Sequence, residues 1–322
     1  MDYLVADIGG TNARLATVKP GQTQLSDVEV YSAAQYPSLK HVVENYLSSY
    51  PEKNVQTACF AVAAPVGSDS VQFTNNPWSF SIEGMRKMLR LNALYLINDF
   101  EAVAWCLSAL KKQDLVALSA SDRLNPLRPL AVLGPGTGLG IAASLLSPSG
   151  TRAVLATEGG HAAFAPVNEQ DVAIWQILLK QNGFVSREDI LCGQGLMRLS
   201  GAICKLDGGK LDLEIKAPSD ITNGAIKLHD PHCIKVLNVF CSILGSVAGD
   251  VALQLGATGG VFIAGGIVPR FIDFLKQSPF LDGFLNKGRY RSYLEEVACH
   301  IITSPQPGLL GAATYCQLRE KA

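Results

Sequence analysis

The 322-residue chain has no long run of charge of either sign: Lys and Arg number 27 against 28 Asp and Glu, a formal net charge of −1. Without a basic stripe to neutralise a phosphate backbone, nucleic acid is not expected as a partner. No C-x-x-C pair occurs among the eight cysteines at 59, 106, 192, 204, 233, 241, 299 and 316. The nearest two, Cys233 and Cys241, are wrongly spaced for a zinc knuckle, so the thiols are expected to be reduced and buried, as in a cytoplasmic protein. No basic segment precedes an apolar one after Met1, so a cleaved secretory signal is not expected. The stretch that comes nearest to a membrane span, 236–268, is interrupted by Asp250 and Gln254 and runs into a glycine-rich strand region. It reads as buried helix followed by buried strand, and no membrane partner is expected.

Two common nucleotide-binding motifs are missing as well. "GPGTGLG" carries glycines at 134, 136, 138 and 140, with Leu139 where the third glycine of G-x-G-x-x-G would fall, and no G-x-x-x-x-G-K-[ST] loop is present. A dinucleotide enzyme and a P-loop NTPase are therefore disfavoured, although Glu158 lies about twenty residues beyond the glycines, as a ribose-binding acid would. Low-complexity tracts and short-period repeats are also lacking.

The chain does have apolar bulk, 48% hydrophobic over a length that exceeds one comfortable core, so two domains are expected. Hydrophobic periodicity predicts strands at 3–8, 13–18, 57–64, 94–97, 130–134, 140–146 and 260–264, and helices at 38–49, 81–90, 100–110, 168–181, 231–255 and 308–319. That alternation is α/β. Asp230 as cap and Pro231 at the first helical position start the longest helix, which Gly256 ends. Polar residues and prolines loosen 119–129, and the domain junction is expected slightly before it, near residue 110. One long-range echo exists: "LVADIGGTNARLATV" and "LAVLGPGTGLGIAASLL" both read apolar strand, Gly/Thr turn, apolar strand, about 130 residues apart, as in two related halves.

Each Gly/Thr turn can present converging backbone N–H groups and a hydroxyl to an anion, though such turns also serve simply to connect strands. In "LYLINDFEAVA" the strand ends in Asn98 and Asp99 before a helix. Asp99 is either a ligand-facing carboxylate at a strand's carboxyl end or a helix N-cap. "TEGGHAAFAP" sets Glu158 and His161 around two glycines, a pair suited to a hydroxyl-rich neutral ligand, or else an ordinary loop pair. Glu188, after Ser186, is open between a ligand and a first-turn helix charge.

Together "DIGGTNARLA" from Asp7, "INDFEAVA" from Ile97, "GPGTGLG" from Gly134, "EGGHAAFAP" from Glu158, "GGVFIAGGIVPRF" from Gly259 and "PGLLGAA" from Pro307 resemble, in order, the bacterial glucokinases of the actin-like and hexokinase-like ATPase superfamily. The resemblance covers nearly the whole chain. It implies two actin-like, ribonuclease H-like α/β domains with mixed sheets flanked by helices and a cleft between them, a small one of 1–109 plus 303–322 and a large one of 110–302. It implies ATP and Mg2+ as cofactors, glucose as substrate, Asp99 as general base, and a homodimer. Asp7, Gly9, Gly10, Thr11 and Asn12 match a first phosphate loop, with Asp7 near magnesium through a water in the family's manner. Gly136, Thr137 and Gly138 match a second, and Gly265 and Gly266 the adenosine segment. Asn98, Asp99, Glu158, His161 and Glu188 match the sugar set, joined by Asn76 in "TNNPW". The related ROK kinases carry a zinc-binding cysteine cluster after the histidine; "HAAFAPVNEQ" has no cysteine, so structural zinc is not expected. A sugar-responsive repressor on this scaffold would add a DNA-binding segment ahead of the first phosphate loop, where only six residues stand, and is disfavoured. A kinase of another hexose stays open.

Overall fold

The computed structural model describes residues 1–64, 66–67, 69–73, 77–147, 149–209 and 213–320. They divide into two compact units, Met1–Lys112 with Val154–Ala156 and Ser304–Ala322, and Gln113–Ala153 with Thr157–Thr303.

The first unit runs β1 (Asp2–Ile8), β2 (Asn12–Val18), β3 (Leu25–Ser32), α1 (Leu39–Ser49), β4 (Val55–Val62), the short hairpin β5 (Ser70–Gln72) and β6 (Ser79–Ser81), α2 (Ile82–Met88), β7 (Ala93–Asn98) and α3 (Asp99–Cys106). The final helix of the chain, α11 (Pro307–Arg319), belongs to it too. Its sheet has the order β3-β2-β1-β4-β7. β1, β2 and β3 pair antiparallel, whereas β1, β4 and β7 are parallel. The two-residue period of β1 divides its side chains between two cores. Leu4, Ala6 and Ile8 pack with Val42, Val43 and Tyr46 of α1; Val5 packs with Ala102 of α3 and Leu309, Ala312 and Ala313 of α11. Burial on both faces explains the near-continuous apolar reading of β1 and β4.

The second unit contains β8 (Leu115–Ala117), β9 (Leu130–Pro135), β10 (Leu139–Leu146), β11 (Arg152–Thr157, of which Val154–Ala156 count with the first unit), α4 (Glu169–Asn182), α5 (Gly193–Leu206), α6 (Pro218–Asn223), α7 (Pro231–Leu255), β12 (Gly260–Ile263), α8 (Ile272–Gln277), α9 (Phe280–Leu285), α10 (Arg291–Glu295) and β13 (Cys299–Ile302). Its sheet order is β11-β10-β9-β12-β13-β8. The hairpin β9/β10 is antiparallel, β9, β12 and β13 are parallel, and β8 adds an antiparallel edge. Each unit thus repeats one plan: a glycine-turn hairpin whose first strand pairs in parallel with a later strand, which in turn pairs in parallel with a third. The fold is the expected α/β, actin-like type.

α7 is the one helix among the described residues long and apolar enough to span a bilayer, yet 78% of its apolar window is buried inside the protein. Asp230 caps it, its carboxylate accepting from the Cys233 N–H at 2.8 Å, and Gly256 ends it at φ +59°. The helix expected over 100–110 stops at Cys106, where Ala109 and Leu110 N–H groups fold back onto the Cys106 carbonyl. The loosely organised 119–129 segment is tied into the second unit: Leu118 N–H donates to the Cys299 carbonyl and Asn125 N–H to that of Gly259.

Candidate active site

In the first unit, Gly9–Asn12 is the turn between β1 and β2, closed by the Gly9 N–H donating to the Asn12 carbonyl at 2.9 Å. A β-carbon on Gly9 would meet nothing nearer than 3.7 Å, so the local fold does not itself demand glycine there. Bare backbone at a place where a side chain fits is what close approach of a ligand requires. Asp7 precedes this turn on β1, with 21% of its side-chain surface exposed. Burial pushes its carboxyl pKa up, and the Arg14 guanidinium at 3.4 Å opposes that shift. The carboxylate also lies against Gly308 in the first turn of α11: a β-carbon there would come within 2.8 Å of Asp7 Cγ. A desolvated carboxylate whose neighbouring cation compensates incompletely suits a hydrated divalent ion.

The two readings of Asp99 separate in the structure. Asn98, at the end of β7, is the N-cap of α3; its Oδ1 accepts from the Phe100 and Glu101 N–H groups at 2.9 and 3.3 Å. Asp99 occupies the first helical position, its Oδ1 accepting from the Phe100 N–H at 2.8 Å. There the helix dipole favours negative charge. Capping commits the Asn98 oxygen, which leaves its amide N–H2 as the group suited to a ligand. Asn76 lies outside the described residues.

In the second unit, Leu139 pairs with Pro135, which makes Gly136, Thr137 and Gly138 the turn of the β9/β10 hairpin. Gly136 and Thr137 line a cavity of about 440 Å³ together with Gly193, Gln194 and Leu196 of α5, Pro218, Ser219 and Thr222 of α6, and Gly266, Ile267 and Arg270. Apolar walls with a few hydroxyls, one amide and one guanidinium match a nucleoside's needs. The glycine pair of the adenosine segment divides. Gly266 faces the cavity with nothing within 4 Å of a built β-carbon; Gly265, at φ +84°, packs its backbone onto Gly134 and Pro135 and holds the ends of β9 and β12 together.

Glu158 precedes the one-turn helix Gly159–His161 and His161 ends it, carboxylate and imidazole 3.9 Å apart and both largely exposed. Glu188 lies in a turn, not in a helix, which removes the first-turn reading. Its N–H donates to the Gly160 carbonyl at 2.9 Å, and its Oε2 accepts from the Leu139 N–H at 2.7 Å. Within this unit the second glycine turn, Glu188 and the Glu158–His161 loop are therefore neighbours. In the first unit Asp7, the Gly9–Asn12 turn and the start of α11 are.

Sequence reasoning missed the cavity's far wall on α5 and α6. Gly193, Gly195 and Gly201 obscure α5, although Leu196, Leu199, Ser200 and Ile203 recur at helical spacing and are all buried. Its cap, Cys192, accepts through sulfur from the Gly195 N–H, a cap residue outside the usual Ser/Thr/Asp/Asn signal.

The family model described as Glucokinase matches residues 4–319. A glucokinase of Chromobacterium violaceum is 42% identical over 313 residues, 97% of this chain and 88% of that protein. The crystal structure of a glucokinase from an Antarctic psychrotroph superposes with a TM-score of 0.89 at 34% identity, covering 98% of each chain. A ROK-family glucokinase from Streptomyces griseus, solved with glucose and AMPPNP, shares the fold at a TM-score of 0.66 and 17% identity, over 98% of this chain and 99% of its own.

Proposed function

The chain belongs to the glucokinase family, and from that premise we propose how its residues divide the work of phosphorylating glucose with ATP. The protein is an ATP-dependent hexose kinase. The observation that carries the assignment is the joining, in one unit, of a Gly/Thr hairpin turn lining a nucleoside-sized cavity to the loop bearing Glu158 and His161 through Glu188, which bonds to both.

In this reading the nucleoside occupies the cavity, against Gly266, with its inner phosphates on the Gly136–Gly138 turn at the N–H groups of Thr137 and Gly138, since that of Gly136 already donates to the Gly138 carbonyl at 2.8 Å. Gly9, Gly10, Thr11 and Asn12 receive the terminal phosphate. Asp7 would hold Mg2+ through water, and the bound ion would supply neutralisation of phosphate charge. Glu158, Glu188, His161 and the Asn98 amide hydrogen-bond the ring hydroxyls. A sugar lacking one of those hydroxyls leaves an acceptor or donor unpaired, which costs about 1–3 kcal/mol. Asp99 accepts the proton of the 6-hydroxyl as that oxygen bonds to the γ-phosphorus and the bond to the β,γ-bridging oxygen breaks, giving glucose 6-phosphate and ADP. Phosphoryl transfer asks little covalent help of a protein, so positioning and charge neutralisation carry most of the rate.

The protein acts in the cytoplasm, a compartment that suits its eight free thiols, seven of them buried. It works as a homodimer, which light scattering tests. The activity is tested by following ADP release across a panel of hexoses beside a sugar-free control. Release should require a sugar and be fastest with glucose; a faster rate with fructose or mannose would move the assignment to another hexose.

A further inference from the structure

Three segments far apart in sequence close into one small cluster in the second unit: the end of the glycine hairpin at Gly138 and Leu139, the Gly159–Gly160 step, and the turn at Glu188. Every side of that triangle is a direct contact. A β-carbon on Gly160 would overlap the Leu139 carbonyl, so these two backbones touch. Glu188 donates its N–H to the Gly160 carbonyl at 2.9 Å, and its Oε2 accepts from the Leu139 N–H at 2.7 Å. A β-carbon on Gly138 would overlap that same carboxylate oxygen. The turn carrying Glu188 is itself fixed, because Asp189 accepts from both the N–H and the hydroxyl of Ser186.

We propose that Glu188 is a positioning residue for the phosphate-binding hairpin as well as a sugar ligand, so that one carboxylate couples glucose binding to nucleotide binding. The inference rests on the sugar role given to Glu188 above and adds the second oxygen's task. Oε2 fixes the amide immediately after the Gly136–Gly138 turn, and so fixes the direction in which that turn presents its backbone to phosphate. A hydroxyl bound at Oε1 restrains the side chain further and lowers the freedom the hairpin must lose when nucleotide arrives. Linkage makes the effect mutual: nucleotide tightens glucose by the factor by which glucose tightens nucleotide.

Isothermal titration of ADP in the absence of sugar separates the two tasks. Glu188→Gln keeps an oxygen able to accept from the Leu139 N–H, so ADP affinity should stay near wild type while glucose affinity falls. Glu188→Ala removes the anchor, and ADP should bind about tenfold more weakly, the scale of one charge-assisted hydrogen bond. If ADP affinity of Glu188→Ala stays within about twofold of wild type, the positioning role is overturned while the sugar role stands. Wild-type glucose affinity in both variants would instead remove the sugar role. Should Glu188→Ala fail to fold, Gly138→Ala decides: its methyl displaces the carboxylate and should weaken glucose binding without nucleotide present, and unchanged glucose affinity there overturns the coupling.

Discussion

Gly308→Ala perturbs the site through a residue that itself carries no chemistry. The added methyl carbon would stand 2.8 Å from Asp7 Cγ and 2.9 Å from Oδ2. Non-bonded carbons settle at about 3.5–4.0 Å, so the carboxylate or the first turn of α11 must yield by roughly 0.7 Å. Overpacking of that size costs about 1–3 kcal/mol, offset by up to ~1 kcal/mol because alanine is the better helix former. With the full offset, stability should fall by about 0–2 kcal/mol. A displacement approaching 1 Å in a group that positions the phosphate's cation can cost about a hundredfold in rate. The assay is glucose-dependent ADP release as a function of Mg2+ and of ATP, beside a thermal melt and a glucose titration. The expected result is turnover lowered by about a hundredfold, a rise in the Mg2+ required, and unchanged glucose affinity. A folded variant with wild-type turnover and wild-type Mg2+ dependence would refute the role of Asp7.

Asp99→Asn should lose at least about a hundredfold in kcat, the scale of general-base help, while glucose binding measured by titration is largely kept. Burial raises the Asp7 pKa above 3.8, so the folded chain holds that proton more tightly than the unfolded chain, and stability from this group declines as pH rises past that value. Asp7→Asn should consequently melt, without ligands, at or above wild type near neutral pH, with a flatter pH dependence above about pH 4, yet lose turnover; a lower melting temperature would count against the burial argument. Gly266→Ala, whose methyl meets nothing within 4 Å, should leave stability unchanged and weaken ADP binding. Gly265→Ala, at φ +84° and against the Pro135 backbone, should lower the melting temperature instead, and equal effects of the two in both measurements would contradict the division between them.

What the sequence reveals follows how locally each feature is determined. The β1/β2 and β9/β10 hairpins are legible because strand, glycine turn and strand lie within about fifteen residues. α7 is legible because Asp230, Pro231 and Gly256 mark its ends. β3 escapes notice as an edge strand whose Val28 and Val30 are exposed and half of whose residues are polar. α5 is hidden by its three glycines, at least one of which, Gly195, is needed for close packing on Ile190. In the candidate site, Asn98 and Asp99 draw notice from pattern as polar residues where β7 meets α3, whereas Asp7 enters only through the family resemblance. Residue type at Glu188 says nothing of its tie to Leu139, a contact between residues 49 apart. The far wall of the cavity, Leu196, Ser219 and Thr222, consists of side chains common in any helix, which only the fold gathers around one space.

The most direct measurement is the structure of the protein crystallised with glucose and a non-hydrolysable ATP analogue. The account predicts the glucose 6-oxygen within about 3 Å of an Asp99 carboxylate oxygen, hydrogen-bonding distance for the group that takes its proton. A sugar bound with its 6-hydroxyl turned away from Asp99 would contradict it.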